Sequence, residues 1–230
     1  MQDTPDSVML FAAGFGTRMK ELTRDRPKPM IEVAGRPLIA HALDLARGVD
    51  PRRVVANLHY KPEPLRAYLE PHDVALSHET PEILDTGGGL RQALPLLGGG
   101  PVFTLNTDAI WKGPNPLALA RAAWDPERMD ALLVCVPLAR TRGRKGAGDF
   151  GTDTEGRLHR GGDLVYGGAQ IVKTDALAEI PERAFSLNLL WNRMGEAGRL
   201  FGLEYPGHWC DVGHPEGIRT AEELIAADDV

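Results

Sequence analysis

The sequence lacks the features that mark membrane and secreted proteins. No apolar run approaches the roughly 20 residues that a membrane-spanning helix needs. The opening residues, MQDTPDSV, are polar and acidic, unlike a signal or transit peptide. The only two cysteines, Cys135 and Cys210, each fall within an apolar, strand-like run, which favours buried free thiols over a disulfide. Together these features predict a cytoplasmic protein.

The signatures of several enzyme and binding classes are also missing. The seven histidines show no H-x-x-x-H or Cys/His ligand spacing, so a zinc site is not expected. No G-x-S-x-G turn is present for a serine hydrolase, and no G-x-x-x-x-G-K-[ST] loop for a P-loop protein. The formal net charge of -6 argues against a nucleic-acid partner, and basic residues do not alternate with aromatic residues along any one element.

What the chain does have is a regular alternation of apolar, β-prone runs and helical patterns. Its 230 residues suffice for one or two domains and a sizeable core. Up to residue 138, alternating elements are predicted: strands at 7–13, 52–59, 73–79, 101–108 and 130–138, and helices at 36–48, 63–70, 88–97 and 115–124. Strands that alternate with helices and are buried on both faces predict a parallel sheet in an α/β layer fold.

After Pro137 the pattern changes. The predicted elements are a hairpin turning at Glu155-Gly156, a strand at 164–172, a helix at 187–198, a strand pair within 199–213 and a closing helix at 215–227. This half therefore predicts an antiparallel or mixed addition to the first sheet. Because no linker, repeat or low-complexity segment interrupts the chain, we predict a single domain over residues 1–230 with two parts, 7–138 and 139–225.

A glycine turn followed by five cations lies near the front of the chain, in FAAGFGTRMKELTRDRPKPM (11–30). The dinucleotide fingerprint G-x-G-x-x-G fails there because its third glycine is Met19. The prolines and the missing apolar period predict a flexible loop after the turn. Gly14 and Gly16 allow backbone N–H groups to approach an anion, and Arg18 and Lys28 supply positive charge. The pattern predicts phosphate binding; the alternative is an ordinary surface loop with solvated cations.

Two aspartates end predicted strands, Asp108 in VFTLNTD and Asp211 in HWCDVG. Ligands of open α/β sheets lie at the carboxyl ends of the strands, and two carboxylates with phosphate oxygens form a Mg²⁺ site. The alternative is that each aspartate caps a turn. The run DTGGG (85–89) either begins a helix or lets a base or sugar lie against the backbone.

The stretch AAGFGTRMKELTRDRPKPMIEVAGRPLI resembles the signature of the sugar-1-phosphate nucleotidylyltransferases. HETPEILDTGGGLRQALPLL, LNTD and HWCDVG follow in that family's order, so the resemblance covers residues 7 to about 225. Within the family, T-G-G-G and W-x-D-V-G look most like the N-acetylmuramate-1-phosphate uridylyltransferases of bacterial cell-wall (peptidoglycan) recycling. Glu21 departs from the usual proline and Thr107 from the usual glycine.

The resemblance implies a Rossmann-like three-layer sandwich of the nucleotide-diphospho-sugar transferase type, with nucleotide binding at 7–138 and sugar-phosphate binding at 139–225. Arg18 and Lys28 would be catalytic, clamping the triphosphate. The implied nucleotide-binding residues are Ala13, Gly14, Gly16, Thr17, Arg18, Lys28, Glu79, Thr80, Gly87 and Asn106. Asp149 and Arg199 would bind the sugar phosphate, and Asp108 and Asp211 would hold Mg²⁺.

The implied reaction transfers a nucleoside monophosphate from an NTP, with UTP favoured, to N-acetylmuramate 1-phosphate and releases pyrophosphate. Two alternatives remain open. One is a mannose- or glucose-1-phosphate nucleotidylyltransferase that uses GTP, UTP or dTTP. The other is a non-catalytic regulator that binds sugar nucleotides on the same fold. The sequence does not predict the oligomeric state.

Overall fold

A central sheet to which both halves of the chain contribute organises the molecule. The computed structural model describes residues 3–227. In chain order the strands are β1 (Ser7–Phe11), β2 (Glu32–Val33), β3 (Arg36–Pro37), β4 (Arg53–Leu58), β5 (Ala75–His78), β6 (Val102–Asn106), β7 (Ala109–Lys112), β8 (Ala131–Pro137), β9 (Thr141–Arg142), β10 (Phe150–Thr152), β11 (Leu158–Arg160), β12 (Leu164–Val172), β13 (Leu200–Glu204) and β14 (His208–Asp211). The α-helices are α1 (Leu38–Arg47), α2 (Pro62–Leu69), α3 (Asp85–Leu97), α4 (Pro116–Ala123), α5 (Asn188–Glu196) and α6 (Pro215–Ala226).

The sheet is parallel in its first half and mixed in its second. The strand order is β11-β10-β12-β6-β1-β4-β5, with β8 and β13 joined beside β12, which makes nine strands within the described residues. Strands β5, β4, β1 and β6 run parallel to one another. Strand β12 runs antiparallel to both β6 and β8 and so joins the two halves in one sheet. Both the parallel core and the mixed addition are confirmed, while the division into two functional parts stays a prediction.

Helices cover both faces of the sheet, as the alternation of side chains along the strands requires. From β1, Val8 and Leu10 pack on one face with α1 and α4. Met9 points to the other face and packs with α3 and α5. The three-layer sandwich is therefore confirmed. The expected cap on α4 is confirmed as well, because Asn115 Oδ1 accepts from Leu117 N at 2.9 Å.

One predicted pairing is wrong. The segment 199–213 does contain two strands, but β13 pairs in parallel with β8 in the main sheet. Strand β14 instead lies between β7 and β9 in a separate three-stranded sheet. No strand was predicted at β7, and β14 pairs with this strand and not with β13. The small sheet packs under α6 through a third apolar cluster that includes Ile110, Cys210 and Ala221.

Both thiols are buried and free, as predicted. Burial, reinforced by the nearby charge of Asp149, raises the pKa of the Cys135 thiol far above its ordinary value. Burial likewise raises the pKa of Cys210, to about 11. Among residues 3–227, no helix has the length and apolarity that crossing a bilayer requires. The cytoplasmic location stays a prediction.

Candidate active site

Two adjoining pockets open at the carboxyl end of the parallel strands. The first pocket, of about 210 Å³, is lined by Phe11, Ala12, Ala13, Gly14, Lys28, Pro29, Asn57, Glu79, Ile83, Asp85, Thr86, Asn106, Thr107 and Asp108. The second pocket, of about 290 Å³, is lined by Phe11, Asp85, Thr86, Asn106, Arg144, Asp149, Phe150, Arg160, Tyr166, Ser186, Leu187, Asn188 and Trp191. Four residues line both, including Asn106 at the end of β6, so a ligand can reach from one pocket into the other.

The glycine turn after β1 is tightly built. Gly14 lines the first pocket, and a Cβ at this position would meet open space. Gly16 has φ 63°, and a Cβ there would lie 2.9 Å from both Lys28 Cβ and Thr23 Cγ2. Only glycine satisfies both the left-handed backbone and this close packing. The flexible loop expected next is wrong, because Thr17–Thr23 forms 3₁₀ turns that begin with Met19 N donating to Gly16 O at 2.8 Å.

Lys28 is a buried lysine with a defined partner. Only 8% of the residue is exposed, and its Nζ donates to Asp108 Oδ2 at 2.8 Å. The prolines on either side, Pro27 and Pro29, are buried with it. Lys28 therefore does not lie in a solvated loop; its ammonium is fixed at the floor of the first pocket.

Arg18 lies at the edge of the same region and is exposed. Its Nη1 is 3.4 Å from His214 Nε2, just ahead of α6. A Cβ added to Gly213 would lie 2.8 Å from Asp211 Oδ1 and 3.1 Å from Arg18 Nη2, so Gly213 lies against both the carboxylate and the guanidinium. Thr17 is exposed beside Arg18 and, like Arg18, is not part of the pocket walls.

The structure brings Asp108 and Asp211 together through the pairing of β7 with β14. Asp211 stands opposite Ala109 in this pair, and Val212 N donates to Asp108 O at 3.0 Å. Burial raises the pKa of Asp211, and the charge of Asp108 raises it further, while Lys28 and Arg18 act in the opposite direction. Two carboxylates that repel each other would be stabilised by a positive ion, and the two cations beside them by phosphate oxygens.

This donor set fits Mg²⁺ only in combination with a phosphate ligand. Within residues 3–227, no group of three or more His, Cys, Asp and Glu side chains is arranged to hold a metal ion. Mg²⁺ is commonly held by one or two carboxylates, with substrate phosphates and water completing its shell. Asp108 and Asp211 meet that requirement, and the remaining positions would belong to a nucleotide.

A chain of buried hydrogen bonds ties together three strand ends at the first pocket. Asn57 Oδ1 accepts from Ala12 N at 2.7 Å, and Asn57 Nδ2 donates to Glu79 Oε1 at 2.6 Å. Glu79 Oε2 accepts from Leu84 N at 2.7 Å. Asn57 and Glu79 are only 4% and 1% exposed. Both Glu79 oxygens already have protein partners, so this residue holds the pocket wall in position.

The glycines of the DTGGG run face protein and not the pocket. Gly87 N donates to Phe185 O at 2.8 Å, and Gly87 packs against the Phe185 ring. A Cβ on Gly89 would lie 2.5 Å from Glu79 Oε1. The three glycines therefore let α3 approach neighbouring chain segments, while Asp85 and Thr86 of the same run line the pocket. The prediction that Gly87 contacts the base is not supported by this placement.

Thr80 is likewise outside the first pocket. It is exposed, precedes a cis peptide bond to Pro81, and its carbonyl oxygen accepts from Arg183 Nη2 at 2.9 Å. Thr107, which departs from the family pattern, is buried and donates through Oγ1 to Phe11 O at 2.8 Å. This bond links the ends of β6 and β1, so the departure adds a brace at the pocket floor.

Of the two residues predicted to bind a sugar phosphate, Asp149 lines the second pocket and Arg199 does not. Asp149 Oδ1 accepts from Arg144 Nη2 at 2.6 Å and Oδ2 from Tyr166 N at 3.0 Å. Arg199 begins the segment leading into β13, and its Nε pairs with Asp130 Oδ1 at 2.9 Å. Its Nη1 donates to Glu127 O at 2.9 Å. Strands β8 and β13 run in the same direction as β6, so both begin at the edge of the sheet opposite the pockets. Arg199 and Asp130 lie at that edge, and this placement does not support the prediction that Arg199 binds the sugar phosphate.

Several residues that line the two pockets were not predicted from the sequence, among them Asn57, Arg144, Arg160 and Asn188. Asn57 could have been predicted, because it is a polar residue near the carboxyl end of a predicted parallel strand. Arg144 and Arg160 carried no such signal, since exposed arginines are common in loops and hairpins.

Comparisons with known proteins find similarity to proteins named as nucleotide transferases. Residues 8–196 match the family described as the MobA-like NTP transferase domain. The N-acetylmuramate alpha-1-phosphate uridylyltransferase of Caulobacter vibrioides is 39% identical over 98% of this chain and 99% of its own length. The mannose-1-phosphate guanylyltransferase catalytic subunit beta of Dictyostelium discoideum is 28% identical over 94% of this chain and 64% of its own. A putative glucose-1-phosphate thymidylyltransferase from Bacillus anthracis has the same fold, with a TM-score of 0.78 at 15% identity over 97% of this chain and 96% of its own.

Proposed function

Because the chain belongs to the family of MobA-like NTP transferase domains, we propose that it transfers uridine monophosphate from UTP to N-acetylmuramate 1-phosphate. The products are the UDP-sugar and pyrophosphate. Membership of the family confirms the resemblance to sugar-1-phosphate nucleotidylyltransferases seen in the sequence. The observation that carries the choice of substrates is the similarity to a uridylyltransferase of this specificity along almost the whole of both chains.

The reaction needs no general base. A sugar-phosphate oxygen, already ionised near neutral pH, forms a bond to the α-phosphorus of the nucleotide. The bond from that phosphorus to the bridging oxygen breaks, and pyrophosphate leaves with the electron pair. Catalysis therefore consists of holding two phosphates in line and stabilising their crowded negative charge.

The residues in and beside the first pocket have the charges that holding and neutralising two phosphates requires. Lys28 presents a buried ammonium beside Asp108, and Gly14 leaves its backbone open to the pocket. Arg18, exposed near Asp211, can close over a triphosphate. Mg²⁺ held by Asp108 and Asp211 would neutralise phosphate charge and orient the leaving group.

The two pockets supply separate places for the two substrates. We assign the nucleotide to the first pocket, which contains the glycine turn, Lys28 and Asp108. The sugar belongs in the second pocket, which adds the arginines, amides and aromatic rings that bind hydroxyl and acyl groups. Asn106, shared by both pockets, would then lie close to the point where the phosphates meet.

A mannose-1-phosphate guanylyltransferase is the second candidate, favoured by the similarity to such an enzyme. The third, a non-catalytic binding protein, is disfavoured because Arg18, Lys28, Asp108 and Asp211 converge on one site. A sensor would not require both carboxylates.

A pyrophosphate-release assay tests the proposal directly. Four NTPs are combined with a panel of sugar 1-phosphates that contains N-acetylmuramate, N-acetylglucosamine, mannose and glucose 1-phosphates. We expect the highest kcat/KM for UTP with N-acetylmuramate 1-phosphate. A clear preference for GTP with mannose 1-phosphate would select the second candidate. If no pair of NTP and sugar 1-phosphate releases pyrophosphate, the proposed catalysis is contradicted.

A further inference from the structure

The wall of the second pocket carries a guanidinium that no carboxylate neutralises. Arg160, the last residue of β11, donates through Nη2 to Asn188 Oδ1 at 2.8 Å and to Asn192 Oδ1 at 2.7 Å. Its guanidinium carbon lies 4.8 Å from the centre of the Phe150 ring. These partners are all uncharged, and among residues 3–227 no carboxylate forms an ion pair with Arg160. The guanidinium is thus held in place by neutral partners.

The helix that holds Arg160 adds a second positive feature to the same wall. Ser186, Leu187 and Asn188, at the N-terminus of α5, line the second pocket. The first turn of α5 contains no acidic residue. Because the N-terminus of a helix carries partial positive charge, this end of the pocket favours an anion.

The carboxylates of the second pocket do not cancel this charge. Asp149 is already paired with Arg144, whose Nη2 lies 2.6 Å from its Oδ1. Asp85 lies where the two pockets meet and accepts from the backbone N–H of Thr86. The excess positive charge is therefore at the Arg160 end, away from the first pocket.

The anion that Arg160 suits is not the reacting phosphate. That phosphate must lie near Lys28 and Asp108, at the end of β6. In the sheet β11 is three strands away from β6, through β12 and β10, or roughly 14 Å between strands. A ligand that reaches from one place to the other needs a second anionic group. N-acetylmuramate 1-phosphate has one, the carboxylate of its lactyl ether, whereas N-acetylglucosamine 1-phosphate is the same sugar without that group.

We infer that Arg160, positioned by Asn188 and Asn192, binds the lactyl carboxylate of N-acetylmuramate 1-phosphate and selects it over neutral sugar 1-phosphates. This inference rests on the proposed function. The two amides take both Nη2 hydrogens and leave the N–H groups of Nε and Nη1 to donate to a carboxylate, while the Phe150 ring and the amides limit the orientations that the guanidinium can adopt.

The test measures kcat/KM for N-acetylmuramate 1-phosphate and for N-acetylglucosamine 1-phosphate, each with saturating UTP. In Arg160→Gln we expect the ratio of the two values to fall about fiftyfold, the range of a charged hydrogen bond. The change should lie mainly in KM, because the contact is remote from the reacting phosphate. Arg160→Lys keeps the charge without the planar guanidinium that the two amides hold, and it should lose less of the ratio.

Two further variants separate binding from folding. Asn188→Ala/Asn192→Ala removes the acceptors that hold Arg160 and should lower the same ratio by an intermediate amount. Arg193→Gln is the matched control, since Arg193 lies on the same helix and pairs with Glu179 at 3.7 Å, outside both pockets. Its ratio should equal that of the wild type, and thermal unfolding of all variants checks that they fold.

The outcomes distinguish this inference from the proposed function. If the wild type prefers N-acetylmuramate 1-phosphate but Arg160→Gln lowers kcat/KM equally for both sugars, the role of Arg160 is overturned and the function stands. If the wild type prefers a neutral sugar 1-phosphate, the proposed function itself fails, and the carboxylate at Arg160 fails with it.

Discussion

The two pockets that meet at Asn106 are built in different ways. The first is made by strand ends and backbone, and its polar side chains Asn57 and Glu79 are almost fully buried and bonded to each other. The second is made by side chains of the β10–β11 hairpin and α5. Its ion pair, Arg144 with Asp149, keeps 27% and 32% of the two side chains exposed.

The difference indicates which parts of the site are fixed by the fold. Changes in the first pocket disturb hydrogen bonds that the main sheet depends on, so they affect stability as well as activity. Changes at the exposed polar residues of the second pocket, such as Arg160 and Asn188, can alter substrate choice while the core is maintained. We expect the triphosphate end of the reaction to be constrained and the sugar end to be adjustable.

The largest effect is expected at Asp108 and Asp211, the two carboxylates proposed to hold Mg²⁺. Asp108→Asn and Asp211→Asn should each lower turnover by about a thousandfold, because a shared ion supplies several kcal/mol of transition-state stabilisation. The double variant should be little worse than either single one, since the two residues act as one unit.

Turnover measured against Mg²⁺ concentration checks this prediction. Asp175→Asn, an exposed aspartate far from the pockets, is the matched control. Losses that multiply in the double variant, or unchanged Mg²⁺ dependence in both single variants, would show that the carboxylates hold no common ion.

Lys28→Met should lower turnover by about a hundredfold by removing a fixed positive charge from the phosphates. It should also destabilise the protein by about 1–2 kcal/mol, because it leaves Asp108 without its partner; the partial exposure of Asp108 limits this cost. Turnover and urea unfolding measure the two effects. Arg26→Gln, an exposed cation of the same stretch, should change neither. Wild-type turnover in Lys28→Met would remove this residue from the site.

The buried hydrogen bonds from Ala12 through Asn57 and Glu79 to Leu84 need a fixed order of donors and acceptors. Exchanging the amide and the carboxylate between positions 57 and 79 tests that order. In Glu79→Gln, every orientation of the two amides leaves one donor facing another donor, since Ala12 N and Leu84 N can only donate. We expect a loss of about 1–3 kcal/mol in stability and about a tenfold rise in KM for the nucleotide as the pocket wall shifts.

The double variant Asn57→Asp/Glu79→Gln restores a consistent set of donors and acceptors, with the carboxylate moved to position 57. It should recover most of the stability and the nucleotide KM, whereas Asn57→Asp alone places two carboxylates side by side and should be the worst of the three. Additive losses in the double variant would show that the chain of bonds does not position the wall.

The smallest expected effect concerns Arg199, which the structure places away from both pockets. Arg199→Gln should leave KM for the sugar 1-phosphate within about twofold, while loss of its contacts with Asp130 should lower stability by about 1 kcal/mol. Kinetics and thermal unfolding are measured on the same preparation. A large rise in KM with unchanged melting would return Arg199 to the binding site.

The sequence by itself determined the parallel core and the first pocket. The periodic spacing of apolar residues predicted the strands and helices, because the strand period and the helix period are each recognisable within a short stretch of chain. Because the carboxyl ends of parallel strands share one edge, the glycine turn after β1 and Asp108 after β6 had to lie together. Gly14, Glu79, Asn106 and Asp108 line the first pocket for this reason, and Lys28 joins them from the turn at Lys28–Met30.

Tertiary structure alone decided the rest. Asp211 reaches Asp108 only because β14 pairs with β7 and not with β13. Gly87 contacts Phe185 because α3 packs against the segment that precedes α5. Arg160 lines the second pocket, whereas Arg199 does not. Strand pairing and helix packing join residues distant in the chain, and their energies depend on neighbours that no local pattern specifies. Which arginine meets a ligand is therefore a property of the assembled sheet.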